Sequence, residues 1–240
     1  ENFEIEPLNS YGFELTIKGS TGYAPINLDV KEKPNNESST LITLAPGTGL
    51  RILDEKDGWL YITLVYANIK GYVNSTYVMI NLPDVIPSII YDNTNSYSSL
   101  FSSSGFEIPN VTGNQLYNAY SYNKRLEKYT YNMVAMYNFA KKIAISQHNA
   151  LKEGNSLKIY EAYRPAEAQR TVGNNLINLA YKNTTINNNL LRGGWNYAWF
   201  INTGLSNHQI GIAMDTSLVK INTWEYKNIG KEKYLLGFYY

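Results

Sequence analysis

The chain contains no cysteine. That excludes disulfide staples, thiolate metal sites and a cysteine nucleophile. It leaves the compartment open. Histidine is nearly as scarce, with only His148 and His208 present, so any imidazole chemistry falls on one of two positions. Neither sign of charge dominates. Lys and Arg number 21 against 20 Asp and Glu, for a formal net charge of +1. A partner held by bulk positive charge, as nucleic acid is, is therefore not expected. No apolar run approaches the roughly 20 residues that a membrane-spanning helix needs. Glu1 opens the chain with no Met, basic start or apolar stretch. We read it as a mature or trimmed form from which an export signal has already been removed.

What is present supports a folded protein. Of the 240 residues, 44% are hydrophobic and 17% charged, a balance that can build a packed core. Tyrosine is abundant, at 22 residues, alongside much Asn and Ser. Such a composition suits a surface that meets carbohydrate or wall polymer. AT-rich coding bias accounts for it equally well.

Two zones follow one another. Residues 20–80 hold short apolar, β-branched runs at Leu28–Val30, Leu41–Leu44, Leu50–Leu53, Trp59–Val65 and Gly71–Val73. Turn signals separate them, at Pro34-Asn35-Asn36, Pro46-Gly47, Asp57-Gly58 and Asn68 to Gly71. Five short strands at close spacing predict a small barrel. Pro83, Pro87 and Pro109 then bracket a polar stretch, DNTNSYSSLFSSSG, that buries little. Beyond it the period changes. Val134, Ala135, Phe139, Ile143, Ala144 and Leu151 form a helical stripe within Tyr131 to Glu153, ended by Gly154. SLKIYEAY (156–163) alternates as a strand does, and Pro165 opens a second helix, AEAQRTVGNNLINLAYK. Ile212–Leu218 reads as another strand. The expected architecture is thus two domains. A small all-β barrel occupies 1–82, a linker 83–112, and an α+β domain 113–240.

The first zone resembles the bacterial SH3-like domain. The matching positions are Leu28, Val30, Pro34, Gly47, Gly58, Trp59, Gly71, Tyr72, Val73 and Tyr77. The resemblance implies binding to peptidoglycan or another wall component. Taken on their own, Trp59 and Tyr72 fit a core and an edge aromatic of a small barrel equally well.

In the second zone, His208 and Asp215 stand in SNHQIGIAMD. A neutral imidazole and a carboxylate suit zinc, given a third ligand and an open position. Gly211 between them permits a sharp turn that lets both side chains converge. An isolated His–Asp pair is more often a structural hydrogen bond. The wider pattern is more specific. SNHQIGIAMD, preceded by YEAYRPAEAQ, resembles the SxHxxGxAxD and YRP signatures of the zinc D-alanyl-D-alanine carboxypeptidases and dipeptidases. The resemblance covers about residues 88–240. It implies that His208 and Asp215 are zinc ligands and that Arg164 stabilises the oxyanion at the scissile carbonyl. It also implies that Ser206 bonds the substrate's terminal carboxylate while Gln169 helps to hold the substrate. A guanidinium is always charged and forks its donors, which suits that role. His148 matches no motif and reads as a helix-flanking residue. Glu161 is expected to point away from Arg164, on the alternate strand face.

The chain departs from the resembled pattern after Asp215. The family uses a later Glu as general base and a later His as third zinc ligand, whereas here only Glu225 and Glu232 follow, with no histidine. We read this as a sequence cut short of those residues, so that this chain binds zinc weakly and hydrolyses little. The function expected is an exported or wall-associated zinc metallopeptidase. Its substrates are D-amino-acid-containing peptidoglycan stem peptides, and the SH3-like domain anchors it to the wall. The alternatives are a wall-binding protein that keeps the peptidase fold without catalysis, and an endopeptidase of the L-alanyl-D-glutamate cleaving type.

Overall fold

A computed structural model of the chain describes residues 4–64, 66–92, 120–199, 202 and 204–239. The elements follow in order. Strands β1 (Thr21–Tyr23), β2 (Leu28–Lys31), β3 (Thr40–Leu44), β4 (Gly49–Lys56), β5 (Trp59–Leu64), β6 (Lys70–Asn74) and β7 (Met79–Asn81) precede a short helix α1 (Leu82–Val85). Next come β8 (Ile90–Tyr91), the hairpin strands β9 (Tyr120–Asn123) and β10 (Lys128–Tyr131), β11 (Val134–Met136) and helix α2 (Tyr137–Lys152). The chain continues through β12 (Asn155–Glu161), α3 (Ala166–Lys182), α4 (Thr184–Leu190), β13 (Asp215–Lys220), β14 (Thr223–Ile229) and β15 (Glu232–Phe238). Among the described residues no helix is long and apolar enough to cross a membrane.

The five expected short strands form, as β2 to β6, within an eight-stranded sheet of order β11-β7-β1-β4-β5-β6-β2-β3. Asp57 and Gly58, both at positive φ (51° and 79°), make the tight β4–β5 turn. The backbone there matches the right-handed twist of the flanking strands. Gly71 has a different reason to be glycine. A Cβ at that position would lie 2.6 Å from Val30 Cγ1 and 2.7 Å from the Lys31 carbonyl oxygen. The side-chain-free residue lets β6 close on β2.

The boundary expected at residue 82 is not a solvated joint. β11 pairs with β7 in antiparallel register, Ala135 opposite Ile80. One buried cluster joins Leu50, Ile52 and Ile62 of the strand zone to Tyr137, Ile143 and Ile159 of the second zone. Leu82, Val85, Ile86 and Ile89 are also buried, so the start of the expected linker is core. The polar stretch from 93 to 112 lies outside the described residues. The first helix also begins later than its apolar stripe suggested, at Tyr137. Val134 and Ala135 are completely buried, and three consecutive apolar residues serve a strand covered on both faces as well as a helix. Gly154, at φ 76°, takes the left-handed conformation that closes the helix. α3 starts after Pro165, as expected. β13 begins at Asp215 and runs to Lys220, a few residues later than the expected strand.

One enclosed polar network crosses the core. Glu14 accepts from the Ser88 amide at 3.0 Å and from its hydroxyl. Gln147 donates to the Ser88 and Ser156 hydroxyls, both at 2.9 Å, and accepts from the Leu157 amide at 2.8 Å. Burial pushes the Glu14 carboxyl up to about 7, against the opposing effect of the Ser88 hydrogen bonds. A raised carboxyl binds its proton more tightly in the folded state, so stability falls as pH rises from the unfolded value toward and past 7. We expect Glu14→Gln to flatten the thermal-stability profile between pH 5 and 8 and to raise Tm at pH 8. A calorimetric series across that range checks it.

Candidate functional site

The free edge of β11 gathers the two motif segments. The Tyr163 amide donates to the Val134 carbonyl at 3.1 Å, and the Met136 amide donates to the Gly211 carbonyl at 2.9 Å. The segments also meet directly, since the Arg164 amide donates to the His208 carbonyl at 3.0 Å. The turn over 206–212 is held internally by Gln209 N to Ser206 O at 3.0 Å and Ile212 N to Asn207 O at 3.1 Å. Two stretches far apart in sequence thus share one scaffold strand.

Arg164 sits at the centre, 5% exposed. Its Nε donates to Glu161 Oε2 at 2.8 Å, and Nη2 also reaches that oxygen. Nη2 donates to Asp215 Oδ2 and Nη1 to Gln169 Oε1, both at 2.8 Å. Glu161 therefore does not point away. β12 carries a register shift between Ile159 and Glu161, which places Glu161 opposite Asp215 on β13. β12 ends there, so strand alternation does not extend to Arg164. Two carboxylates and an amide oxygen hold the guanidinium in a single orientation. Partial burial alone would raise the Asp215 carboxyl. The hydrogen bond and charge of His208 and the charge of Arg164 outweigh it and hold Asp215 below the ordinary carboxylate range.

His208 is oriented from behind. Its Nδ1 lies 2.7 Å from the Ala162 carbonyl oxygen, which fixes the proton on that nitrogen. Nε2 then faces Asp215 Oδ1 at 3.4 Å. Zinc binds imidazole nitrogen and carboxylate oxygen at about 2.0–2.2 Å, so two tetrahedral ligands stand about 3.4 Å apart. The pair fits two corners of a zinc site. A third corner is not supplied: among the described residues no group of three or more His, Cys, Asp or Glu could hold a metal. Glu232 accepts from the Thr16 amide at 2.6 Å and lies 3.6 Å from Arg125, and Glu225 stands exposed on β14.

Compared with protein-family models, with curated proteins and with solved structures, the chain finds no counterpart in any of the three.

The remaining expected site residues divide. The Ser206 hydroxyl oxygen is buried with no hydrogen-bond partner among the described residues, beside the His208 turn. Gln169 is 1% exposed and lies behind Arg164, with its amide nitrogen donating to the Asn202 carbonyl. Its place is that of a brace rather than of a group facing solvent. His148 lies on α2, where burial and the Lys152 charge push its imidazole down. The sequence reading missed Glu161 and the Ala162 carbonyl. The signal for Glu161 was its position three residues before Arg164 at a strand end. No signal marks a backbone carbonyl.

Gly211 ties the turn to the sheet. It has φ 71°, and a Cβ would lie 3.2 Å from both Met136 Cγ and Met79 Sδ. Gly211→Ala should cost about 1–3 kcal/mol through a strained left-handed backbone. It should also disturb the His208 ring. Urea unfolding and the His208 imidazole NMR shift report the two effects separately.

Proposed function

We propose that the chain is a zinc-peptidase-type protein directed at D-amino-acid-containing peptidoglycan stem peptides, with His208 and Asp215 as two zinc ligands. One observation carries this reading. His208 Nε2 faces Asp215 Oδ1 at ligand spacing while Nδ1 is anchored on Ala162. Zinc, when bound, supplies Lewis acidity toward a peptide carbonyl. The protein's own residues do the placing. Arg164 fixes Asp215 through Oδ2 and leaves Oδ1 turned toward His208. The unpartnered Ser206 hydroxyl is suited to donate to a substrate carboxylate. The oxyanion role for Arg164 requires substrate to compete with its present partners. In this reading the protein is exported or wall-associated, and the SH3-like strand zone holds it at the wall.

The test is release of D-alanine from a stem pentapeptide ending in D-alanyl-D-alanine, with and without added zinc. Zinc-dependent release that disappears in His208→Ala supports the reading. Stoichiometric zinc in a C-terminally extended chain, with no release of D-alanine or of any wall peptide, overturns the catalytic part. A second reading then gains weight, that of a wall-binding protein without turnover. Two observations favour it: no third ligand stands among the described residues, and two carboxylates already engage Arg164. It expects sedimentation with purified wall material and no products.

A further inference from the structure

The β9–β10 hairpin carries a cluster of tyrosines on one face. Tyr129 lies opposite Tyr122 and Tyr131 opposite Tyr120 in the strand register, and cross-strand partners point to the same side. The rings touch one another. Tyr120 stacks with Tyr129 at 5.9 Å between centroids, and Tyr122 meets Tyr129 edge-on at 5.4 Å. Tyr120, Tyr122 and Tyr129 are nonetheless 60%, 50% and 63% exposed. Neighbouring aromatics left in solvent mark a binding surface more often than a fold requirement.

The platform has a charged flank. Tyr122 and Tyr131 form part of the wall of a cavity of about 400 Å³ that is also lined by Thr21 and Tyr23 of β1, Arg51 of β4 and Asn81 of β7. That lies within the size range of small-ligand sites, about 300–1,000 Å³. Arg51 and Lys124 also line it, both exposed and in no ion pair among the described residues. The Asp84 carboxylate in the same wall is already occupied, accepting from the Thr21 amide at 2.8 Å and from Asn123 Nδ2 at 2.6 Å. Asn132 adds an amide to the lining, its Nδ2 donating to the Tyr23 hydroxyl at 3.1 Å. Flat aromatic faces stack on sugar rings, amides meet hydroxyls, and two unpaired cations select for negative charge.

We propose that the hairpin face and its flanking cavity form a saccharide-binding site selective for sugars that bear a carboxylate. Its lining shares no residue with the His208–Asp215 site, and it does not depend on the peptidase reading. A single-stranded nucleic acid would also stack on tyrosine, but it needs a basic groove along its backbone. The near-neutral chain, with Arg51, Lys124 and the Glu232-paired Arg125 in the cavity wall, does not provide one.

The test is calorimetric titration of the full chain with a tetra-uronate oligosaccharide. Its methyl ester and a short DNA single strand serve as comparisons. The expected result is saturable uronate binding, at least about tenfold tighter than the ester. Tyr122→Ala or Tyr129→Ala should weaken it about tenfold, and Arg51→Ala with Lys124→Ala should remove the preference over the ester. A zinc chelator should leave binding unchanged. These side chains are exposed, so the variants should fold, which circular dichroism checks. Tyr122→Phe keeps the ring and should keep binding. Absent uronate binding, equal binding of the ester, tighter binding of DNA, or tyrosine variants that bind like the parent would each overturn the proposal.

Discussion

Arg164→Ala is expected to destabilise the fold by about 3–5 kcal/mol, the cost of leaving a buried charge without its partner. Glu161 is 1% exposed and its Oε1 already lacks a hydrogen-bond partner among the described residues. Removing the guanidinium would leave the other oxygen uncompensated too. Arg164→Lys should not rescue, because one ammonium cannot meet Glu161, Gln169 and Asp215 at once with the geometry of a fork. Arg164→Met combined with Glu161→Gln should recover much of the loss, since a neutral pair removes the stranded charge. Urea unfolding of the four proteins gives the comparison. A loss below about 1 kcal/mol for Arg164→Ala would match an exposed ion pair and contradict the buried clamp.

Gly71→Ala is expected to be the second large effect, at about 3 kcal/mol, the upper part of the usual range for overpacking. The new methyl would press on Val30 Cγ1 at 2.6 Å and on the Lys31 carbonyl at 2.7 Å. Val30 is completely buried and β-branched, so its χ1 has little freedom to yield. The Lys31 oxygen belongs to the backbone of β2 and moves only with the strand. The contrast is Gly58, where a Cβ would meet nothing within 4 Å. There the penalty comes from φ 79° alone, so Gly58→Asn should be far milder than Gly71→Ala. Equal Tm losses for the two would show that packing between β6 and β2 is not the reason for the glycine.

How far the sequence led depends on the kind of signal. Turn residues and alternation located β2 to β6, because those cues act within a few residues. The GYV segment was visible as a motif, yet the reason for its glycine needed the distance to Val30. The helical stripe over 131–153 misled at its start. Val134 and Ala135 satisfy a helix period, but pairing with β7 decides their conformation, and no local rule encodes that. The same pairing joins two zones that composition had separated. At the site, SNHQIG and YRP were legible as motifs. Their meeting on the edge of β11 was not, since it rests on backbone bonds from Tyr163 and Met136. Glu161 was misjudged because strand alternation was carried beyond the end of β12.

In the reading proposed above, His208 and Asp215 form a metal-ready pair. The most direct measurement is calorimetric zinc titration of the chain beside His208→Ala and Asp215→Asn at pH 7.5. One weak but saturable zinc equivalent is expected in the parent, clearly weakened further in both variants. No zinc binding in the parent, or binding that both variants leave unchanged, would contradict that reading and reduce the pair to a structural hydrogen bond.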